Sequence, residues 1–121
     1  MGKVQLPIVA SPSALSGYRI MWMIVFFDLP VGTKKERKAA GDFRNHLLDL
    51  GFQMSQYSVY LRLCAGKEQL ESYQSKIEKV MPISGKVHFL AITDKQYENI
   101  HTYRGRKREQ GSKNPDQLAL F

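Results

Sequence analysis

The chain has 121 residues, 43% of them hydrophobic, which is enough for one domain around one core and too few for two. Lys plus Arg number 18 against 11 Asp plus Glu, and the net charge of +7 favours a polyanionic partner over a small-molecule regulatory role. No apolar run nears the roughly 18 residues that span a bilayer, Pro7 and Pro12 break the short apolar stretch that a signal peptide would need, and the single cysteine, Cys64, has no internal partner. These features lead to the expectation of a cytoplasmic protein with no membrane contact.

Residues 1–19 are rich in Ser, Pro, Ala and Gly without periodicity and read as a flexible extension. Residues 20–27 form an unbroken run of eight apolar side chains, IMWMIVFF, which suits a central strand covered on both faces. The run stops on a carboxylate, Asp28, followed by the turn Leu29-Pro30-Val31-Gly32. Thr33 and Glu36 then make a capping-box pattern that starts a helix at Lys34. Its apolar stripe is Ala40, Phe43, Leu47 and Leu50, and Gly51 tolerates the left-handed stop.

From Phe52 the period changes to two: Phe52 and Met54, then Val59, Leu61 and Leu63, alternate with polar neighbours, predicting two short strands or one bent strand. A second helix beginning at Gly66 or Lys67 carries the stripe Leu70, Tyr73, Ile77 and Val80 until Pro82 forbids continuation. After the Ser84-Gly85 turn, residues 86–93 predict a strand with Val87, Phe89 and Ala91 on one face and His88, Leu90 and Ile92 on the other. Residues 94–99 read as a turn or short helix, residues 100–104 as a short extra strand, and the chain from Gly105 onward as polar and loose. The order β-α-β-β-α-β is that of an α+β, ferredoxin-like sandwich with both helices on one face of an antiparallel sheet and a C-terminal extra strand. The domain is expected over residues 20–105, with a basic and polar tail over 106–121. Because the helices cover one face of a sheet that is apolar on both, a twofold homodimer is expected to cover the other.

Two readings of Asp28 stand at this point. As a turn residue it can hydrogen-bond the backbone ahead and help stop the strand. As a functional group near a dimer axis it would meet its symmetry copy, and two confined carboxylates repel unless they share a proton or a cation. Magnesium or manganese, with oxygen ligands and retained waters, suits such a place and can activate water against a phosphodiester. The histidines His46, His88 and His101 lack zinc-ligand spacing.

The segments MIVFFDLP, KKERK, GFQMSQYSVYLRL and ITDKQYENI resemble those of the smaller of the two core CRISPR adaptation proteins, over about residues 20–105. The resemblance implies a dimeric ferredoxin-like fold, often described as a metal-dependent endonuclease, that bridges two copies of a larger integrase subunit and holds duplex DNA. Asp28 matches the acid that binds the metal at the dimer interface and is credited with nuclease activity. Arg37 falls near a basic position of the family and is a candidate to contact phosphate, and Ser58 and Tyr60 match a Ser-Val-aromatic signature of structural or interface character. The extension before the first strand departs from the pattern, leaving Met21 and Met23 as alternatives to Met1 as the biological start. One acid per chain is thin equipment for hydrolysis, which normally gathers several carboxylates around two ions, so a bridging scaffold is favoured over an enzyme. A toxin-type ribonuclease of the same fold is the alternative, since phosphate contacts do not separate RNA from DNA.

Lys34, Lys35, Arg37, Lys38 and Arg44 on the first helix, with Arg104, Arg106, Lys107 and Arg108 near the end, form the expected nucleic-acid-binding set. A terminal cation cluster is also what a solvated tail looks like. The chain closes on QLALF, where Leu118, Leu120 and Phe121 are expected to dock on a protein: the integrase, the dimer's own sheet edge, or, by the resemblance of Gln-Leu-x-Leu-Phe to a clamp-binding peptide, the replication sliding clamp.

Overall fold

The computed structural model describes residues 19–109. The amino-terminal extension and the docking residues Leu118, Leu120 and Phe121 lie outside the described residues. The apolar run forms β1 (Ile20–Asp28), and α1 (Lys34–Asp49) follows with Thr33 accepting from the Glu36 amide at 3.1 Å while Glu36 Oε1 accepts from the Thr33 amide at 2.9 Å. Next come β2 (Gln53–Gln56), β3 (Val59–Ala65), α2 (Lys67–Glu78) and β4 (Lys86–Thr93). The sheet order is β2-β3-β1-β4 with every pairing antiparallel, which is the expected ferredoxin-like topology. β1 is central because it is the most apolar strand.

Alternation along β1 divides the molecule. Met21, Met23, Val25 and Phe27 point to the helices and pack with Phe43 and Leu47 of α1 and Leu70 and Ile77 of α2 in the main core. Ile20, Trp22, Ile24, Phe26 and Asp28 point the other way. On that second face Trp22 is buried by α3 (Asp94–Glu98): its indole lies stacked on Tyr97 with centroids 4.0 Å apart, and its Nε1 donates to Asp94 Oδ1 at 3.0 Å. Burial, and secondarily the charge of Asp94, pushes the Tyr97 hydroxyl up to about 12. Leu61 is buried in the same small cluster and Ile24 and Ile92 are half-buried against it, while Ile20, Phe26, Leu63 and Leu90 stay open at 48%, 38%, 43% and 47% exposed. β1 is therefore covered fully on one face and on the other only at Trp22 and partly at Ile24, because α3 is five residues long.

Two boundaries differ from the sequence expectation. The second helix ends at Glu78, so Val80 lies beyond it, its amide bonded to the Ile77 carbonyl in a tight turn. Pro82 disfavours the helical region for the residue before it, and the helix unwinds a turn earlier. The extra strand does not join the sheet: β5 (Tyr103–Arg104) pairs with β6 (Lys107–Arg108) in a separate hairpin, turned at Gly105 with φ 64°. Glycine first in a two-residue turn matches strand twist, so the chain keeps regular structure through Arg108 where a loose segment was expected. Cys64 is a free, buried strand residue, its thiol pushed up to about 11 chiefly by burial.

Candidate functional site

Asp28 sits at the last position of β1 and is exposed. Its even number places it on the same sheet face as Ile20, Ile24 and Phe26, at one end of the uncovered apolar surface. Three contacts hold this strand end. The Phe27 amide donates to the Ser58 carbonyl at 3.1 Å, and Ser58 presents that carbonyl from a left-handed conformation, φ 69°. Gly85, φ 93°, lies so close that a Cβ there would be 2.6 Å from the Asp28 carbonyl oxygen. Arg37 Nη1 donates to the Val31 carbonyl at 3.1 Å, tying the loop after Asp28 to α1. Across the sheet the residue paired with Asp28 is Lys86.

The cations of the expected nucleic-acid set occupy two regions. Lys34, Lys35, Arg37 and Lys38 are exposed on α1, away from the buried Ala40, Phe43 and Leu47, while Arg44 is half-buried at the edge of that buried side. Lys38 pairs with Asp42 at 3.0 Å, an exposed contact worth little. Arg44 donates to the Tyr57 hydroxyl at 2.8 Å with its guanidinium 4.5 Å from the ring centroid. Arg104 bonds Glu109 at 2.6 Å and Arg108 meets His101, which rigidifies the hairpin, while Arg106 at the turn and Lys107 beside it carry no side-chain tie among the described residues. Tyr60 is a core residue stacked on Phe27, its hydroxyl held above the usual range by burial against a partial opposing effect of Arg44. The signature Ser58 and Tyr60 thus brace β1.

Residues 21–100 match the family model described as CRISPR associated protein Cas2. The chain belongs to that family. Among its relatives, a CRISPR-associated endoribonuclease Cas2 of Paracidovorax avenae is 56% identical over 107 residues, covering 88% of this chain and 99% of the relative. Proteins of the same name from Parvibaculum lavamentivorans and Flavobacterium psychrophilum are 48% and 45% identical, covering 84% and 88% of this chain and 100% and 93% of theirs. Membership of a CRISPR-associated family agrees with the resemblance read from the strand, helix and Ser-Val-aromatic segments.

Among the described residues no three His, Cys, Asp or Glu side chains gather to hold an ion. At the end of β1 the chain presents the carboxylate of Asp28. No helix among the described residues is long and apolar enough to cross a membrane. Sequence reading missed Lys86 and the left-handed Ser58. Lys86 was visible only as the first residue of a predicted strand, and its neighbour emerges from the β1–β4 register.

Proposed function

We propose that this Cas2-family chain works as a homodimer, packed through its uncovered sheet face, that grips duplex DNA and bridges the larger integrase subunit during spacer acquisition. The observation that carries this reading is that Asp28 and the open apolar surface share one face. A second copy covering Ile20, Phe26, Leu63 and Leu90 brings a second Asp28 toward the first. Paired carboxylates with waters suit Mg2+ or Mn2+, a hard cation that takes oxygen ligands, so the residues fit such an ion as two halves of one site. When bound, the ion would polarise a phosphodiester and activate water. The chain's own part is to hold Asp28 at the strand end through Ser58, Gly85 and the Arg37-tied loop.

Duplex binding rests on the α1 cations and the hairpin. Neutralising Arg106, Lys107 and Arg108 together is expected to weaken duplex affinity and to flatten its dependence on salt by roughly 0.9 in log–log slope for each phosphate left without its cation. Affinity measured at several salt concentrations checks this, and an unaltered slope would take the hairpin off the DNA. Leu118, Leu120 and Phe121 are proposed as a docking peptide for the integrase or the sliding clamp.

Asp28→Asn separates scaffold from enzyme. The mutant is expected to lose Mg2+-dependent phosphodiester cleavage by at least about 100-fold, on the scale of removing a metal's charge stabilisation, while still supporting spacer integration by the integrase. Cleavage at the wild-type rate would assign the activity elsewhere. The relatives' name, endoribonuclease, favours a second reading in which RNA is the cleaved strand. Running the same mutant on RNA and DNA substrates decides between them.

A further inference from the structure

Asp28 and Lys86 form the last rung of the β1–β4 ladder, which runs in register from Met21 opposite Thr93 to Asp28 opposite Lys86. Directly opposed residues of an antiparallel pair project to the same face, with Cβ atoms about 4.5–5.5 Å apart. Lys86 is therefore the cross-strand neighbour of Asp28 on the uncovered face. Both residues are exposed, and among the described residues no ion pair joins them. The next rung on this face is Phe26 opposite His88, whose rings lie stacked with centroids 4.9 Å apart.

Resting on the reading that Asp28 holds a divalent ion on this face, we infer that Lys86 is the residue that sets how tightly that ion is held. Two chains joined through the face bring two carboxylates and two ammonium groups to the site. Those four charges sum to zero with no ion present. An entering divalent cation meets repulsion from both lysines, or must displace them into solvent, before it gains the carboxylates. Lys86 thus weakens metal binding and gives the paired acids a counter-charge of their own, so that the interface can close with or without an ion. Only the register within one chain is needed for this, because Lys86 is beside Asp28 whatever the distance between the two Asp28 side chains. A unit charge about 5–6 Å from a divalent ion at a partly solvated surface changes its affinity by roughly tenfold.

The test is a Mn2+ titration of the full chain, reading free ion by electron paramagnetic resonance, with sedimentation and circular dichroism run on each variant. Lys86→Gln, which removes one such charge from each of the two chains, is expected to bind Mn2+ roughly 100-fold more tightly than the unaltered chain, by an advantage that shrinks as salt is raised. Lys86→Arg, which keeps the charge, is expected to match the unaltered chain, and Asp28→Asn to lose binding in either background. If Lys86→Gln binds no more tightly while Asp28→Asn abolishes binding, the inference about Lys86 is overturned and the metal reading stands. If Asp28→Asn binds like the unaltered chain, the metal reading itself is wrong and this inference goes with it.

Discussion

Gly85→Ala is expected to lower stability by about 3 kcal/mol, a fall in melting temperature on the order of 10–20 °C for a domain of this size. Gly85 has φ 93°, a conformation that side-chain-bearing residues adopt at a cost, and its added Cβ would lie 2.6 Å from the Asp28 carbonyl oxygen and 3.0 Å from Leu29 Cα. Two of the three nearest atoms are backbone, so relief requires moving the end of β1 and not merely turning a side chain. The damage therefore falls on the strand end that carries Asp28, and activity at the site should fall with stability. Gly105→Ala is the matched control. Gly105 has φ 64°, but nothing lies within 4 Å of where its Cβ would stand, so the same substitution there should cost only about 1–2 kcal/mol. Urea melts of the two variants give the comparison, and equal losses would show that the contact with Asp28 is not what makes Gly85 necessary.

Leu90→Asp is expected to convert the proposed dimer to a monomer, weakening self-association by at least about 100-fold, because a carboxylate there would have to be desolvated in each of two copies against apolar neighbours. That desolvation costs several kcal/mol when no cation pairs with the acid. Leu90 is 47% exposed on β4, opposite Ile24 in the register and on the same face as Phe26, Leu63 and Ile20. The fold itself should survive, since Leu90 is not part of the core beneath the helices. Ile83→Asp serves as the control, because Ile83 is fully exposed on the loop before β4 and belongs to no sheet face. Sedimentation at micromolar concentration distinguishes the two variants. A Leu90→Asp chain that remains dimeric would require the copies to meet through some other surface, and the paired Asp28 site would go with it.

The element order, the capping box of α1, the two-residue alternation of β3 and β4, and the glycine stop at Gly51 were legible in the sequence because each depends on residues within a few positions of one another. Thr33 and Glu36 cap α1 whatever the rest of the chain does, and the Ala40, Phe43 and Leu47 stripe marks its buried side by spacing alone. Asp28 was legible as an oddity, an acid closing an apolar run. What tertiary structure decided are the contacts whose partners are far apart in the chain. Trp22 is covered by Asp94 and Tyr97, so part of the second sheet face is closed by the chain itself. Ser58 bonds Phe27 across the β1–β3 junction, and Lys86 arrives opposite Asp28 only because β1 and β4 pair in one register. A one-residue slip of that register would move Lys86 away from Asp28 and turn Leu90 toward the helices. Local periodicity says which residues a strand turns to the same side, but which strand lies beside it, and at what offset, is set by how the whole core packs.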